Sequence, residues 1–365
     1  MRPCWADLPC DLLRVIAEKV TTNTQYVHLR AVCKAWRNAL TPHPHHLPPQ
    51  FPWLMLSPQP GISDAHVSFY DIARSKTYQF QFPYMSGKYC CGSSHGWLVL
   101  EHEHRVSLLN PITSRCIDLP SLDAPPTLLI PSDYHKGHKS CIQKASLSCN
   151  PFKPGCVVVA LFSSHTSNWE LVFCQIGDSH WTELKKWNPL LRVENFTLYN
   201  NLVYTVNTEM EISVYDLQDR SVWTFPSKLS SHLCVRDKIN IVGDAGSSGP
   251  LIVRMIKYFS DPMVYVYKWS DDWQTWLEVK DIGKRVLFLN ERHSNSIILQ
   301  CDEKQENKVY YDIKQMSDPT WNFFHVGLNR VNLESGMVVP LSWRLVFPLG
   351  SPRSGLPLWV TPSLI

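Results

Sequence analysis

Six segments of this chain share one pattern: an apolar strand, a polar turn, and a second strand. They are VSFYDIARSKTYQFQFP (67–83), VSLLNPITSRCIDLP (106–120), ELVFCQIGDSHWTEL (170–184), ISVYDLQDRSVWTFP (212–226), VYVYKWSDDWQTWLEV (264–279) and VYYDIKQMSDPTWNFF (309–324). The turns fall near Asp71, Asn110, Gly177, Asp216, Asp271 and Asp312. The unit therefore recurs roughly every 40 to 65 residues, with loop insertions filling the longer gaps. In most copies a further apolar strand precedes it: GWLVL (96–100), CVVVALF (156–162), NLVYTV (201–206), PLIVRMI (250–256) and NSIILQ (295–300). Three to four strands per unit and about six units point to a mainly β protein, a β-propeller of about six blades, which removes free sheet edges by closing blades into a ring. A β-sandwich also spaces short strands evenly and is the alternative. The last segment, LPLWVTPSLI (356–365), is strand-like and is expected to return to the first blade, although its pairing partner is not readable.

Composition agrees with an aromatic-packed β body. There are 14 Trp, 14 Tyr and 14 Phe against only 15 Gly in 365 residues, and large aromatic side chains suit a pleated, half-buried surface. The balance of 35 basic and 32 acidic residues leaves a net charge of +3, which gives no basic field for nucleic acid or a membrane surface. The twelve cysteines are dispersed, with Cys116, Cys156, Cys174 and Cys234 in apolar runs. They read as reduced, buried thiols. With no uninterrupted apolar run near the N-terminus, the expectation is a soluble protein of the cytoplasm or nucleus.

Helical signals are confined to the first forty residues. Leu12, Leu13, Ile16, Ala17 and Val20 recur at helical spacing, with Asp7 placed to cap and Pro9 tolerated in the first turn. A second stripe carries Leu29, Val32, Cys33, Trp36 and Leu40. A segment this small cannot bury all of these side chains alone, so its surplus apolar surface asks for a second protein. The alternative is a helical hairpin packed on the rest of the chain. The pair Leu8-Pro9 opening the first helix and the element Val32-Cys33-Lys34-Ala35-Trp36-Arg37 closing the second resemble an F-box. That resemblance implies a small three-helix domain over 1–41 that docks a Skp-family adaptor, and through it a cullin ligase. The adaptor-binding set it implies is Leu8, Pro9, Leu12, Leu13, Ile16, Val20, Leu29, Val32, Cys33, Trp36 and Arg37. Where F-boxes often carry an acidic residue before the second helix, this chain has Gln25-Tyr26, which weakens a cap.

Residues 42–52 form a linker dense in Pro and His, which should act as a stiff spacer before the body at 53–365. His43, His45 and His46 lie among prolines with no nearby Cys or carboxylate and read as solvated linker rather than a metal site. EHEHR (101–105) reads as a solvent-facing strand end or hairpin tip. In the body, CCGSSHGWLVL (90–100), SLLNPIT (107–113), IDLP (117–120), KASLSCNP (144–151), CVVVALF (156–162), WTEL (181–184), LYNNLVYTVN (198–207), WLEVKDIGKRVLFLN (276–290) and WVTPSL (359–364) together resemble plant F-box proteins with a KIB-type β-propeller. Such members usually carry a Gly-rich turn where this chain has Glu291-Arg292-His293.

Nothing in the sequence assembles catalytic chemistry. Asp71, Asp216 and Asp312 recur once per unit at turn starts, where Asp bonds its own backbone. DAGSSG (244–249) lacks the Lys of a phosphate loop and reads as a hairpin tip. Ser93-Ser94-His95-Gly96 reads as a turn into a strand rather than a nucleophile, and no cofactor or metal is implied. Trp181, Trp187, Trp223, Trp273, Trp276 and Trp321 read chiefly as blade-packing aromatics, one or two of which line a face of the ring. The basic insert SDYHKGHKSCIQK (132–144) is the first choice for target contact, since long loops on rigid scaffolds concentrate recognition. The reading is a substrate-receptor subunit of an SCF-type ubiquitin ligase, with no active site of its own. Its rivals are a propeller that sequesters a kinase or other partner without ubiquitin transfer, as the KIB resemblance suggests, and a propeller enzyme, for example a hydrolase.

Overall fold

The computed structural model describes residues 5–42, 44, 46–47, 51–56, 65–122, 142–163, 169–184, 192–225, 238–243, 249–258, 261–272, 274–290, 294–298, 307–316, 323–348 and 358–361. Helices α1 (Cys10–Glu18), α2 (Asn23–Ala31) and α3 (Lys34–Ala39) come first, and strands begin at Trp53.

The strands form six sheets arranged as the blades of a propeller. Blade 2 runs outward from Tyr89–Ser94 through Trp97–His102 and Arg105–Leu109 to Cys116–Asp118. Blade 3 contains Ile142–Leu147, Val157–Ser163, Trp169–Gln175 and Thr182–Glu183. Blade 4 contains Val193–Tyr199, Leu202–Asn207, Ile212–Asp216 and Val222–Thr224, and blade 5 Lys238–Val242, Leu251–Tyr258, Asp261–Ser270 and Thr275–Val279. In blade 1 the innermost strand, Leu358–Val360, comes from the far end of the chain. It pairs antiparallel with Trp53–Leu56 in the register Trp53↔Val360, Leu54↔Trp359, Met55↔Leu358, and His66–Asp71 and Lys76–Gln81 complete the sheet. The expected return of the tail to the first blade is thus observed.

Blade 6 departs from the four-stranded pattern. It has five strands, ordered Ser294–Ile298, Arg285–Leu289, Lys308–Met316, Phe323–Asn332, Val338–Pro348. Arg285–Leu289 runs parallel to Lys308–Met316, with Phe288 opposite Tyr310. The chain therefore makes its inner strand second and then returns to the outer side, a crossover that a repeat of simple hairpins does not announce. Asp312 consequently lies inside a strand opposite Leu328 rather than at a turn. Asp71, Asn110 and Asp216 do act as turn residues. Asp71 Oδ1 accepts the Arg74 N–H at 3.2 Å, Asn110 Oδ1 accepts those of Ile112 and Thr113 at 2.9 and 3.0 Å, and Asp216 Oδ1 accepts that of Gln218 at 2.7 Å.

The period-2 alternation explains what holds the ring. Val158, Ala160 and Phe162 face blade 2 while their neighbours Val159 and Leu161 face blade 4, and all five are fully buried. One apolar core fills each of the six blade junctions. At the closing junction Trp359 meets Phe288 edge-on at 5.1 Å and donates its indole N–H to the Leu289 carbonyl at 3.0 Å. The tail thereby completes blade 1 and is packed against blade 6.

Candidate partner-docking surface

The head closes its own small core. Leu13, Ala17, Tyr26, Trp36 and Leu40 are buried together, and Leu8, Val20, Leu29 and Cys33 pack against them. Two polar bonds fix this core: Tyr26 Oη donates to the Thr41 carbonyl at 2.8 Å, and Trp36 Nε1 donates to the Trp5 carbonyl at 3.0 Å. The second apolar stripe is not one helix. It breaks at Val32–Cys33, and the Cys33 sulfur accepts the Trp36 N–H at 3.4 Å as the cap of α3. At α2 the Thr22 hydroxyl accepts the Gln25 N–H at 3.3 Å and donates to Gln25 Oε1 at 3.0 Å. Gln25 thus takes part in a cap at the capping-box spacing instead of weakening one. Asp7 caps nothing: α1 begins at Cys10 after Pro9, without a side-chain cap.

The adaptor-binding set splits accordingly. Leu13 (1% exposed) and Trp36 (7%) are core, and Leu8, Val20, Leu29 and Cys33 are half-buried against it. Leu12 (50%), Ile16 (39%) and Val32 (57%) are exposed apolar side chains, and Pro9 and Arg37 are exposed with them. Two residues absent from that set join the exposed ones, Val15 (53%) and Trp5 (72%). Leu12, Val15 and Ile16 stand at i, i+3 and i+4 and share one face of α1. Sequence spacing marks both faces of this helix as apolar, and only the fold separates the inward from the outward one.

In the ring, Lys144, Glu101 and Ser94 each make contacts between neighbouring blades. Lys144 begins the regular part of the innermost strand of blade 3, just after an irregularity between Ile142 and Lys144. Its ammonium nitrogen lies 2.7 Å from Asn195 Oδ1 and 2.6 Å from the Phe196 carbonyl of blade 4. Asn195 continues the chain to blade 5, donating to the Ile239 carbonyl at 2.9 Å and to Asn240 Oδ1 at 3.4 Å. Burial without a counter-charge lowers the Lys144 pKa to about 7. A neutral amine has two N–H donors, and two acceptors stand in place. Lys144 therefore belongs to a blade-to-blade strut and not to the basic insert of residues 132–144; residues 132–141 of that insert lie outside the described residues.

Other expectations resolve similarly. Glu101 is buried, and its Oε2 accepts the Ile142 N–H at 3.1 Å across blades 2 and 3, while Glu103 and His104 form the hairpin tip. Ser94 Oγ bonds the Leu147 carbonyl at 3.1 Å and is also 3.4 Å from Ser146 Oγ, with His95 in the left-handed turn at φ 51°. Cys156 and Cys174 are buried, and burial first of all pushes the Cys156 thiol to about 12 and the Cys174 thiol upward; Cys116 is exposed. Trp181 and Trp276 are buried at blade junctions and Trp223 is 42% exposed. His43, His45, Trp187, Cys234, residues 244–248, Trp273, residues 291–293 and Trp321 lie outside the described residues. Among the described residues there is no group of three His, Cys, Asp or Glu able to hold a metal.

Residues 5–46 match the F-box domain and residues 69–330 the KIB1-4 beta-propeller. The F-box protein At3g56470 of Arabidopsis thaliana is 26% identical over 55% of this chain, a match that spans about half (49%) of that relative's own length. The F-box/kelch-repeat protein At3g18720 of the same plant is 23% identical over 88% of this chain and 84% of its own. Among solved structures, TolB from Acinetobacter baumannii superimposes with a TM-score of 0.43 at 11% identity, covering 94% of this chain and 74% of that one.

Proposed function

Since the chain belongs to the F-box proteins with a KIB1-4 β-propeller, we propose that it is the substrate receptor of an SCF-type ubiquitin ligase, acting in the cytoplasm or nucleus. Its head binds a Skp-family adaptor, and its ring presents a target protein. The observation that carries this reading is the outward face of α1. Leu12, Val15 and Ile16 remain exposed on a head whose own core is already filled, and a second protein is what removes such surface from water. The receptor carries out no chemistry in this reading. Tethering a target and the charged ubiquitin carrier to one scaffold raises their effective concentration.

The test separates the two faces of the helix. Calorimetric titration of a purified Skp-family adaptor into the full chain should show Leu12→Ala plus Ile16→Ala losing about 2 to 4 kcal/mol of binding, because each variant removes a buried anchor. The melting temperature should stay within a few degrees of the wild type, since both side chains are exposed in the free protein. Adaptor affinity unchanged in that double variant would overturn the docking face.

A further inference from the structure

In each of blades 2 to 5 the turns joining the first strand to the second and the third to the fourth emerge at the same end of the ring, because the strands alternate in direction. At that end, blades 2 and 3 bring four turns together: residues 95–96, 110–115, 148–156 and 176–181, the last joined to the third by the Ile176 N–H on the Cys156 carbonyl at 3.0 Å. Of these, the turn at 148–156 stands out. Phe152 sits at its tip and is 52% exposed. Its position is fixed from several directions. Asn150 Oδ1 accepts the Phe152 N–H at 2.9 Å, the Asn150 carbonyl accepts the Lys153 N–H at 2.9 Å, and the Lys153 carbonyl accepts the Cys156 N–H at 3.3 Å. Pro151 and Pro154 restrict two further φ angles, and Gly155 takes φ +75°. The fully buried Trp97 meets the Phe152 ring edge-on at 5.6 Å, and the Arg115 guanidinium lies 5.2 Å from its centre.

Charge at this end is unevenly distributed. The turns at 95–96, 110–115 and 148–156 contain Arg115 and Lys153 and no Asp or Glu, and burial lowers the pKa of His95 beside them. The turn at 176–181 adds one exposed carboxylate, Asp178, whose Oδ2 accepts the Gln175 N–H at 2.8 Å. Among the described residues neither Arg115 nor Lys153 forms an ion pair, and in the adjoining turn of blade 1 Arg74 is paired with Asp71 at 2.8 Å. In blade 4, next to blade 3, and in blade 5 beyond it, Asp219, Asp271 and Asp272 are exposed at the same end, with Arg220 among them. A rigid exposed aromatic flanked by an arginine and a lysine is the composition of an interface anchor.

We propose that the turn cluster around Phe152, Arg115 and Lys153 docks an acidic segment of a target protein, an apolar side chain of the segment covering Phe152 and its carboxylates meeting the two cations. The proposal rests on the receptor reading above and supplies its target side. The acidic turns of blades 4 and 5 repel the same segment and set the direction in which it lies. The two cations of this cluster, on a chain of net charge +3, are too few to track a phosphate backbone, which favours a protein over a nucleic acid.

Fluorescence anisotropy of the full chain with a labelled octapeptide, Gly-Glu-Glu-Leu-Tyr-Glu-Glu-Gly, tests it. The peptide should bind about tenfold or more tightly than its counterpart with Gln at every Glu, and added salt should weaken it. Phe152→Ala, and separately Arg115→Glu with Lys153→Glu, should each cut the affinity about tenfold while leaving the melting temperature and adaptor binding unchanged. Equal binding of the Glu and Gln peptides, wild-type affinity in both variants, or tighter binding of a twelve-residue oligouridine would overturn the proposal. Loss of adaptor binding by the wild-type chain would instead count against the receptor reading and leave the peptide result standing.

Discussion

Leu12 and Leu13 are adjacent and opposite in role: one is half exposed on the outer face of α1, the other is buried in the core of the head. The apolar character of both was legible in the sequence, but the side each takes depends on where α2 and α3 pack. Lys144 is a related case, since a lysine in a basic insert reads as solvated until the strand that holds it is placed inside the ring. Its burial has a titratable consequence. The folded pKa is near 7, whereas an unfolded lysine titrates near 10.4. Between these values the unfolded chain binds more protons, so the contribution of this group to stability rises with pH through that window and is lost as pH falls toward 7. Denaturant melts between pH 7 and 9 should show wild-type stability gaining up to about 1.4 kcal/mol per pH unit relative to Lys144→Met. Parallel pH profiles for the two proteins would show that Lys144 keeps its charge in the fold.

At the scale of elements, patterning located the strands well and their connections less well. The six repeats, the turn residues Asp71, Asn110 and Asp216 and the two-sided burial of strands such as Val157–Ser163 follow from alternation and turn chemistry. The parallel pairing in blade 6 does not, because Asp312 supplies a turn residue where the backbone continues as strand. In the head, the break between α2 and α3 has no Gly or Pro to announce it; the cap comes from the Cys33 sulfur. The cap of α2 is hidden in the sequence because the partner of Thr22 is Gln25 and not an acid. Thr22→Ala should lower the stability of the head by about 1 kcal/mol. Thermal melts of the full chain followed by α-helical ellipticity check this, and an unchanged helical transition would show that the cap contributes nothing.

For the whole molecule, the ring depends on a three-residue strand more than 300 positions away from its partner in sequence. Composition marked the tail as apolar, and only closure explains why Leu358, Trp359 and Val360 are all at or below 1% exposed. A chain ending at Gly355 loses the inner strand of blade 1 and the Trp359 contact to Leu289, leaving an open sheet edge. Its ring should melt several degrees lower and aggregate, whereas the head, which has a core of its own, should still bind the adaptor. A soluble truncated protein with the wild-type melting temperature would contradict the closure. The central claim is that one chain links an adaptor to a target through two separately cored parts. Light scattering of the purified full chain mixed with a Skp-family adaptor, after gel filtration, tests its first half directly. The account predicts a stable complex of one chain with one adaptor, abolished by Leu12→Asp plus Ile16→Asp in a protein that keeps its wild-type melting temperature. Separate elution of wild-type chain and adaptor at micromolar concentration would contradict it.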